Sequence, residues 1–229
     1  MFCLSSDLFL LFSILQRILI LLYKIMYFCN AKPEIMDFKQ EYTRLLNESR
    51  QLILEPKKFW LTKKLHAEDT DVLKRFYLPL VGLVGLAIFL GELITSSELL
   101  LSYALFKSLR EVLVYVLQFY GAVYVTNELI SGFKGEKNKA LVKLIVAYSM
   151  FPFLLASFIT GLFPGLYVLS VIGFYGVFLF IMGVREYITV PEDYLPRYII
   201  ITILVNFLIF ALLNLISWKL LQFFYAYGA

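Results

Sequence analysis

The chain has little with which to do covalent or metal chemistry. Its two cysteines, Cys3 and Cys29, both fall in the first 30 of 229 residues, so the rest of the chain depends on no disulfide and offers no cysteine cluster for zinc or an iron-sulfur centre. His66 is the single histidine; among Lys63, Lys64 and Glu68 it reads as a solvated surface residue. No GxxxxGK[ST], HExxH, GxSxG or GxGxxG pattern occurs, which removes the usual phosphate-loop, zinc-protease, hydrolase and dinucleotide signatures. A formal charge of +4 is too small for a nucleic-acid-binding surface, and the basic residues are scattered over connecting segments.

Charge is also scarce where apolar residues run longest. The chain is 61% hydrophobic with a mean hydropathy of +0.80, well above the 45–50% or so usual for soluble domains. A hydrocarbon core about 30 Å thick takes roughly 20 helical residues. Residues 165–184 and 198–218 meet that length without an internal charge. The pattern predicts five spans: 77–95, 112–130 preceded by a re-entrant or interfacial stretch at 99–106, 140–160 broken or bent at Pro152, 165–184, and 198–218. Proline removes a helical donor and crowds the preceding turn, hence the expected bend. Tyr77, Tyr148, Tyr198, Trp218 and Tyr225 fall at or near span ends, where amphipathic rings are favoured. The expected fold is all-α: a polytopic membrane bundle of about five transmembrane helices with an amphipathic cytoplasmic amino-terminal segment.

Three regions follow. Residues 1–35 read as an extra amino-terminal anchor or as an upstream extension, with the polar run from Met36 as the natural start. Residues 36–76 form the cytoplasmic segment, and 77–225 the five-span domain. Between Ala31 and Arg75 ten basic residues face eight acidic ones, with apolar residues three and four apart, a pattern of surface helices divided at Pro56. Proline suits a first helical turn. Pro56, Lys57, Lys58, Phe59 and Trp60 are the candidate partner or lipid contacts, the rings dipping into the interface and the lysines meeting headgroups. With residues 31–76, 131–143 and 184–197 inside, sixteen basic residues lie on the cytoplasmic side, against Lys107, Arg110 and Lys219 outside, which obeys the positive-inside rule.

Polar residues within the spans are few. Glu92 and Glu128 are the best ionisable candidates, both near span ends, and Lys107 and Glu111 have the spacing of a helical ion pair. Asn206 with Asn214, and Ser149 with Ser157, share faces on which they can bond to neighbouring helices. Tyr148, Ser149 and Pro152 mark the bend in the third span. No nucleophile stands beside a base, and Glu192 and Asp193 read as a solvated turn after Pro191. The expectation is therefore a protein without catalytic residues, metal or cofactor, whose partners are the lipid bilayer and other membrane proteins or a second copy of itself.

The order of several short motifs resembles the Yip-one domain family, the Ypt/Rab-interacting membrane proteins, in its prokaryotic branch. These are Pro56 and Trp60 in P-x-x-x-W spacing, Tyr77-Leu78-Pro79, Ala147 through Pro152, the Gly-Leu-Phe-Pro-Gly turn at 161–165, Tyr175 to Gly183, and Val190-Pro191. The similarity covers about Leu46 to Leu213. It implies a compact five-helix membrane domain with a cytoplasmic amino terminus. The lack of intramembrane charge and the basic, aromatic segment around Phe59 and Trp60 point to a non-catalytic role in organising membrane or binding partners through the cytoplasmic face. A small-solute or lipid transporter or channel-like protein is the alternative. Eukaryotic members bind prenylated Rab-type GTPases in vesicle traffic. Their Asp-Leu-Tyr-Gly-Pro motif is absent here, so small GTPase binding is not carried over.

Overall fold

The computed structural model describes residues 38–64, 72–95 and 101–227; the amino-terminal extension, Cys3, Cys29 and His66 lie outside them. The chain divides into two units at Asn47 and Glu48; of the first, only residues 38–47, the start of α1, are among those described. Among the described residues every regular element is helical: α1 (Phe38–Leu54), α2 (Pro56–Lys64), α3 (Leu78–Thr95), α4 (Leu101–Gly132), α5 (Lys139–Ser149), α6 (Phe151–Leu162), α7 (Tyr175–Tyr187) and α8 (Leu195–Tyr227). A wide π-helical turn, Leu73–Tyr77, leads into α3, and a 3₁₀ segment, Pro164–Phe174, leads into α7.

Five stretches are long and apolar enough to cross a membrane: Leu73–Thr95, Leu101–Gly132, Lys139–Leu162, Pro164–Tyr187 and Leu195–Gln222. Their outward faces carry large apolar side chains, among them Leu113, Tyr124, Val168, Phe174, Leu204 and Leu212. Apolar surface this extensive is unstable in water and natural in lipid. The protein is an integral membrane bundle.

Local chemistry explains the irregular points. Pro79 has no N–H to offer the Arg75 carbonyl and its ring crowds that carbonyl, a conflict the wide turn before it relieves; the Leu78 N–H reaches back to the Leu73 carbonyl. The third span is interrupted between Ser149 and Phe151, with Pro152 in the first turn of α6, as the sequence predicts. The second span departs from expectation. Residues 101–106 are the first turns of α4, one continuous helix of 32 residues, about 48 Å at 1.5 Å per residue, and the stretch is not a separate re-entrant segment. Its charges do not break it because they are matched. Lys107 bonds to Glu92 on α3 at 2.5 Å, and Arg110 pairs with Glu111. The ion pair expected between Lys107 and Glu111 is thus replaced by two others.

The first span packs on α4 and α6, the fifth packs mainly on α4, and α5 lies against α7. Gly91 and Gly161 let α3 and α6 cross closely: a Cβ on Gly91 would collide with the Gly161 carbonyl, so this approach is open only to glycine. The fifth helix touches α7 sparsely. Basic residues Lys134, Lys137, Lys139 and Arg197 gather at one end of the bundle, termed the basic end, around the 133–138 and 188–194 connections.

Candidate functional site

Helix α2 begins at Pro56, and the Phe59 N–H bonds to the Glu55 carbonyl at 3.0 Å, so the proline occupies the first turn as predicted. The helix turns in a direction that nine residues alone do not reveal. Phe59 and Trp60 are each 1% exposed. They point into the bundle instead of dipping into the lipid interface, which corrects the expectation of direct lipid or partner contact for these two rings. The physical reason lies far along the chain. Gly183 leaves a slot on α7, where a Cβ would come within 3.0 Å of the Trp60 ring, and aromatic neighbours close around it. Trp60 meets Tyr148 and Tyr187 edge-on, with centroids 6.2 and 5.6 Å apart, and Phe59 meets Tyr148 at 4.8 Å. The Tyr187 hydroxyl donates to the Trp60 carbonyl at 2.6 Å. Edge-to-face pairs of this kind add about 0.5–1.5 kcal/mol each beyond the area they bury.

A polar node seals the seat. The Lys63 ammonium bonds to one Glu48 oxygen at 2.8 Å, and the Tyr148 hydroxyl donates to the other at 2.9 Å. Lys63 also lies over the Phe59 and Tyr148 rings at 5.7 and 5.2 Å. Both members of the ion pair are about 15% exposed. At that depth a lone charge is costly, so the carboxylate, ammonium and phenol hold one another in place. The Tyr175 hydroxyl fixes the end of α1 through the Ile53 carbonyl at 3.1 Å. Glu48, Lys63 and Gly183 are not among the residues the sequence marks. A P-x-x-x-W pair followed by Lys63 gives a weak signal for them, and Gly183 resembles any small residue within a span.

The opposite face of α2 is solvent-accessible. Lys57 and Lys58 are exposed, flanked by Leu54 and Leu61 at 65% and 56% exposure. Lys58 approaches Glu55 at 3.1 Å in a surface pair, which holds it weakly. The candidate contact residues therefore divide: Lys57 and Lys58 stand outward with two leucines, and Phe59 and Trp60 are the seat.

The intramembrane candidates are not gathered in one place. Glu92 is tied to Lys107 at 2.5 Å. Glu128 bonds to Lys137 of the basic end at 2.6 Å, both partly exposed, and so belongs to that end instead of a span interior. Asn206 bridges helices, donating to Thr126 Oγ1 at 3.3 Å and to the Thr202 carbonyl at 2.9 Å. Asn214 turns back on its own helix, donating to the Phe210 carbonyl at 2.9 Å. Ser157 meets the Tyr115 hydroxyl at 2.6 Å, the interhelical bond expected of it, whereas Ser149 is buried with an unpartnered hydroxyl. Gln118, which sequence reasoning passed over, is 5% exposed and donates to the Asn206 carbonyl at 3.2 Å. Pro191, Glu192 and Asp193 form an exposed turn.

No group of three or more metal-binding side chains occurs among the described residues. No family model, curated protein or solved structure matches the chain.

Proposed function

We propose that this is a non-catalytic, multi-span membrane protein of the Yip-one type, held in a bacterial cytoplasmic membrane with α1 and α2 on the cytoplasmic side. In this reading it organises membrane or binds partners through the outer face of α2. The observation that carries it is the division of that short helix. Phe59 and Trp60 lock one side to the bundle, and the other side presents Lys57, Lys58 and Leu61 as a fixed surface, next to Leu54 at the end of α1. Lysine near an anionic membrane surface contributes about 1 kcal/mol, and leucines at the headgroup boundary add apolar burial. Such a face suits anionic lipid headgroups, and a helix already seated loses little further freedom when it binds.

Lipid retention tests this. The protein is extracted gently from membranes containing phosphatidylglycerol and phosphatidylethanolamine, and its bound lipids are counted by native mass spectrometry. Retained phosphatidylglycerol should fall in the Lys57→Ala/Lys58→Ala double variant and the zwitterionic lipid should not. Equal retention by both proteins contradicts the reading.

The transport alternative draws on Gln118, Ser149 and Asn206, which line one cavity. Glu128 and Asn214 do not line that cavity. Solute flux into proteoliposomes that Asn206→Leu abolishes would favour transport over the cytoplasmic-face reading.

A further inference from the structure

The exposed charges beside α2 and α3 stand partway along the bundle, away from the basic end. Tyr77, just before α3, donates to the Tyr115 carbonyl at 2.9 Å and lies 4.6 Å from the Phe119 ring, and its hydroxyl also meets Met150. Tyr115 in turn stacks with Phe210 at 6.4 Å. From that level α4 continues from Phe119 to Gly132, α5 runs back from Met150 to Lys139, and α8 runs back from Phe210 to Leu195. At 1.5 Å per residue, about 16–22 Å of helix separates the start of α3 from the basic end. Lys74 and Arg75, both exposed, open to the surroundings beside that inner level. Helix α2 begins near the same height. The Ile53 carbonyl accepts from the Tyr175 hydroxyl, the neighbouring Gly176 lies against the Ser149 carbonyl, and α7 runs about 18 Å further to Tyr187.

The flank made by α4 and α8 is apolar over these heights. On α4 a stripe of exposed apolar side chains runs from Leu101 through Leu113 to Tyr124, about 34 Å. On α8, Ile200, Leu204 and Leu208 are exposed between Phe210 and the basic end. Helix α3 has exposed apolar residues only from Leu78 to Ile94, about 24 Å. One flank overruns a hydrocarbon core of about 30 Å and the other falls short of it. Tilting the bundle moves both edges of a band together, so a difference in band length between flanks survives any tilt, and a short band is met by thinning the bilayer. Lys74 and Arg75 can snorkel part of the way. Glu55, whose side chain is 57% exposed beside Lys58, has a shorter reach and holds its level.

We propose that the α2–α3 flank thins the bilayer. Phospholipid headgroups of the leaflet on that side sink to the height of Tyr77, where their phosphates meet Lys57, Lys58 and Arg75; along α4 and α8 the same leaflet keeps its headgroups at the basic end. The ligand is ordinary phospholipid, recognised by its phosphate, and the step bends one leaflet locally without a partner protein. This step rests on the reading of the outer face of α2 as a headgroup contact, but not on a preference for anionic lipid.

Depth-dependent quenching of the full chain in phosphatidylcholine liposomes tests it. Cys3 and Cys29 are replaced by serine, and a bimane fluorophore is attached at Lys57→Cys, Arg75→Cys, Tyr120→Cys or Leu204→Cys, all exposed positions. Nitroxide is carried either on the lipid headgroup or deep in an acyl chain. Positions 57 and 75 should be quenched more strongly from the headgroup, and positions 120 and 204, at comparable heights on the other flank, more strongly from the chain. Stronger chain quenching at 57 or 75 puts that flank in hydrocarbon and overturns the proposal. Stronger headgroup quenching at 120 and 204 makes the boundary uniform and also overturns it. So does quenching of 57 and 75 by aqueous iodide with none from the headgroup nitroxide, the mark of a water-filled recess without lipid. These liposomes hold no anionic lipid, so the two readings of α2 fail separately: a step without phosphatidylglycerol retention removes only the anionic preference, and retention without a step removes only the thinning.

Discussion

Tyr148 shows how much one side chain does in this protein. Its hydroxyl holds Glu48, and its ring meets Phe59, Trp60 and Phe76. Tyr148→Phe keeps the ring and removes the hydroxyl, leaving a poorly solvated carboxylate oxygen one donor short. Hydrogen bonds to charged groups contribute about 1.5–3 kcal/mol, so the variant should melt at a clearly lower temperature in detergent, and an unchanged melting curve would refute the node. Gly183→Val should also destabilise, since its side chain would press on the Trp60 indole and overpacking typically costs about 1–3 kcal/mol. The sequence marks Tyr148 and Trp60 as notable but does not disclose that they touch. Two lysines beside an aromatic pair fit an interfacial helix as well as a seated one, and the deciding residue, Gly183, lies over 120 positions away. Gln118 is legible in the sequence: it is an amide inside the apolar run between Val112 and Val125, the same signal that singles out Asn206.

At the level of elements, the proline positions are readable because the missing N–H is a local fact. Pro56 starts α2 and Pro152 opens α6 where the sequence places them. The interruption beside Pro152 brings the Ser149 carbonyl against Gly176, where a Cβ would collide with it. Gly176→Ala should therefore separate α5 from α7 and destabilise the protein by about 1–3 kcal/mol, measured by thermal melting; a neutral result would mean that the two helices are not so close. The continuity of α4 was not legible. Lys107, Arg110 and Glu111 look like the end of an apolar segment until Glu92 and Trp218 are seen beside them, with Arg110 5.8 Å from the Trp218 ring. Glu92→Gln should weaken the α3–α4 contact and lower the melting temperature, and Lys107→Met made together with it should recover part of the loss, because the pair is then removed whole instead of leaving one charge unmatched. The 3₁₀ pitch of Pro164–Phe174 is likewise hidden, since an unbroken apolar run states how long a span is and not how tightly it winds.

For the whole molecule, length and apolarity specify five spans, and that much was plain from composition. In the proposed orientation sixteen basic residues fall on the cytoplasmic side and three opposite, as the positive-inside rule expects, and the proposed role of α2 depends on it. Lys58 and Trp60 lie two residues apart on one short helix, yet one is open and the other enclosed. The most direct measurement is therefore single-cysteine labelling of Lys58→Cys, Trp60→Cys and Lys219→Cys, with Cys3 and Cys29 replaced by serine, using a membrane-impermeant maleimide on spheroplasts and on inside-out vesicles. The account predicts that position 58 labels only in inside-out vesicles, position 219 only in spheroplasts, and position 60 in neither until the protein is denatured. Labelling of position 58 from the outside, or ready labelling of position 60 in the folded protein, would contradict a cytoplasmic α2 locked by its aromatic side.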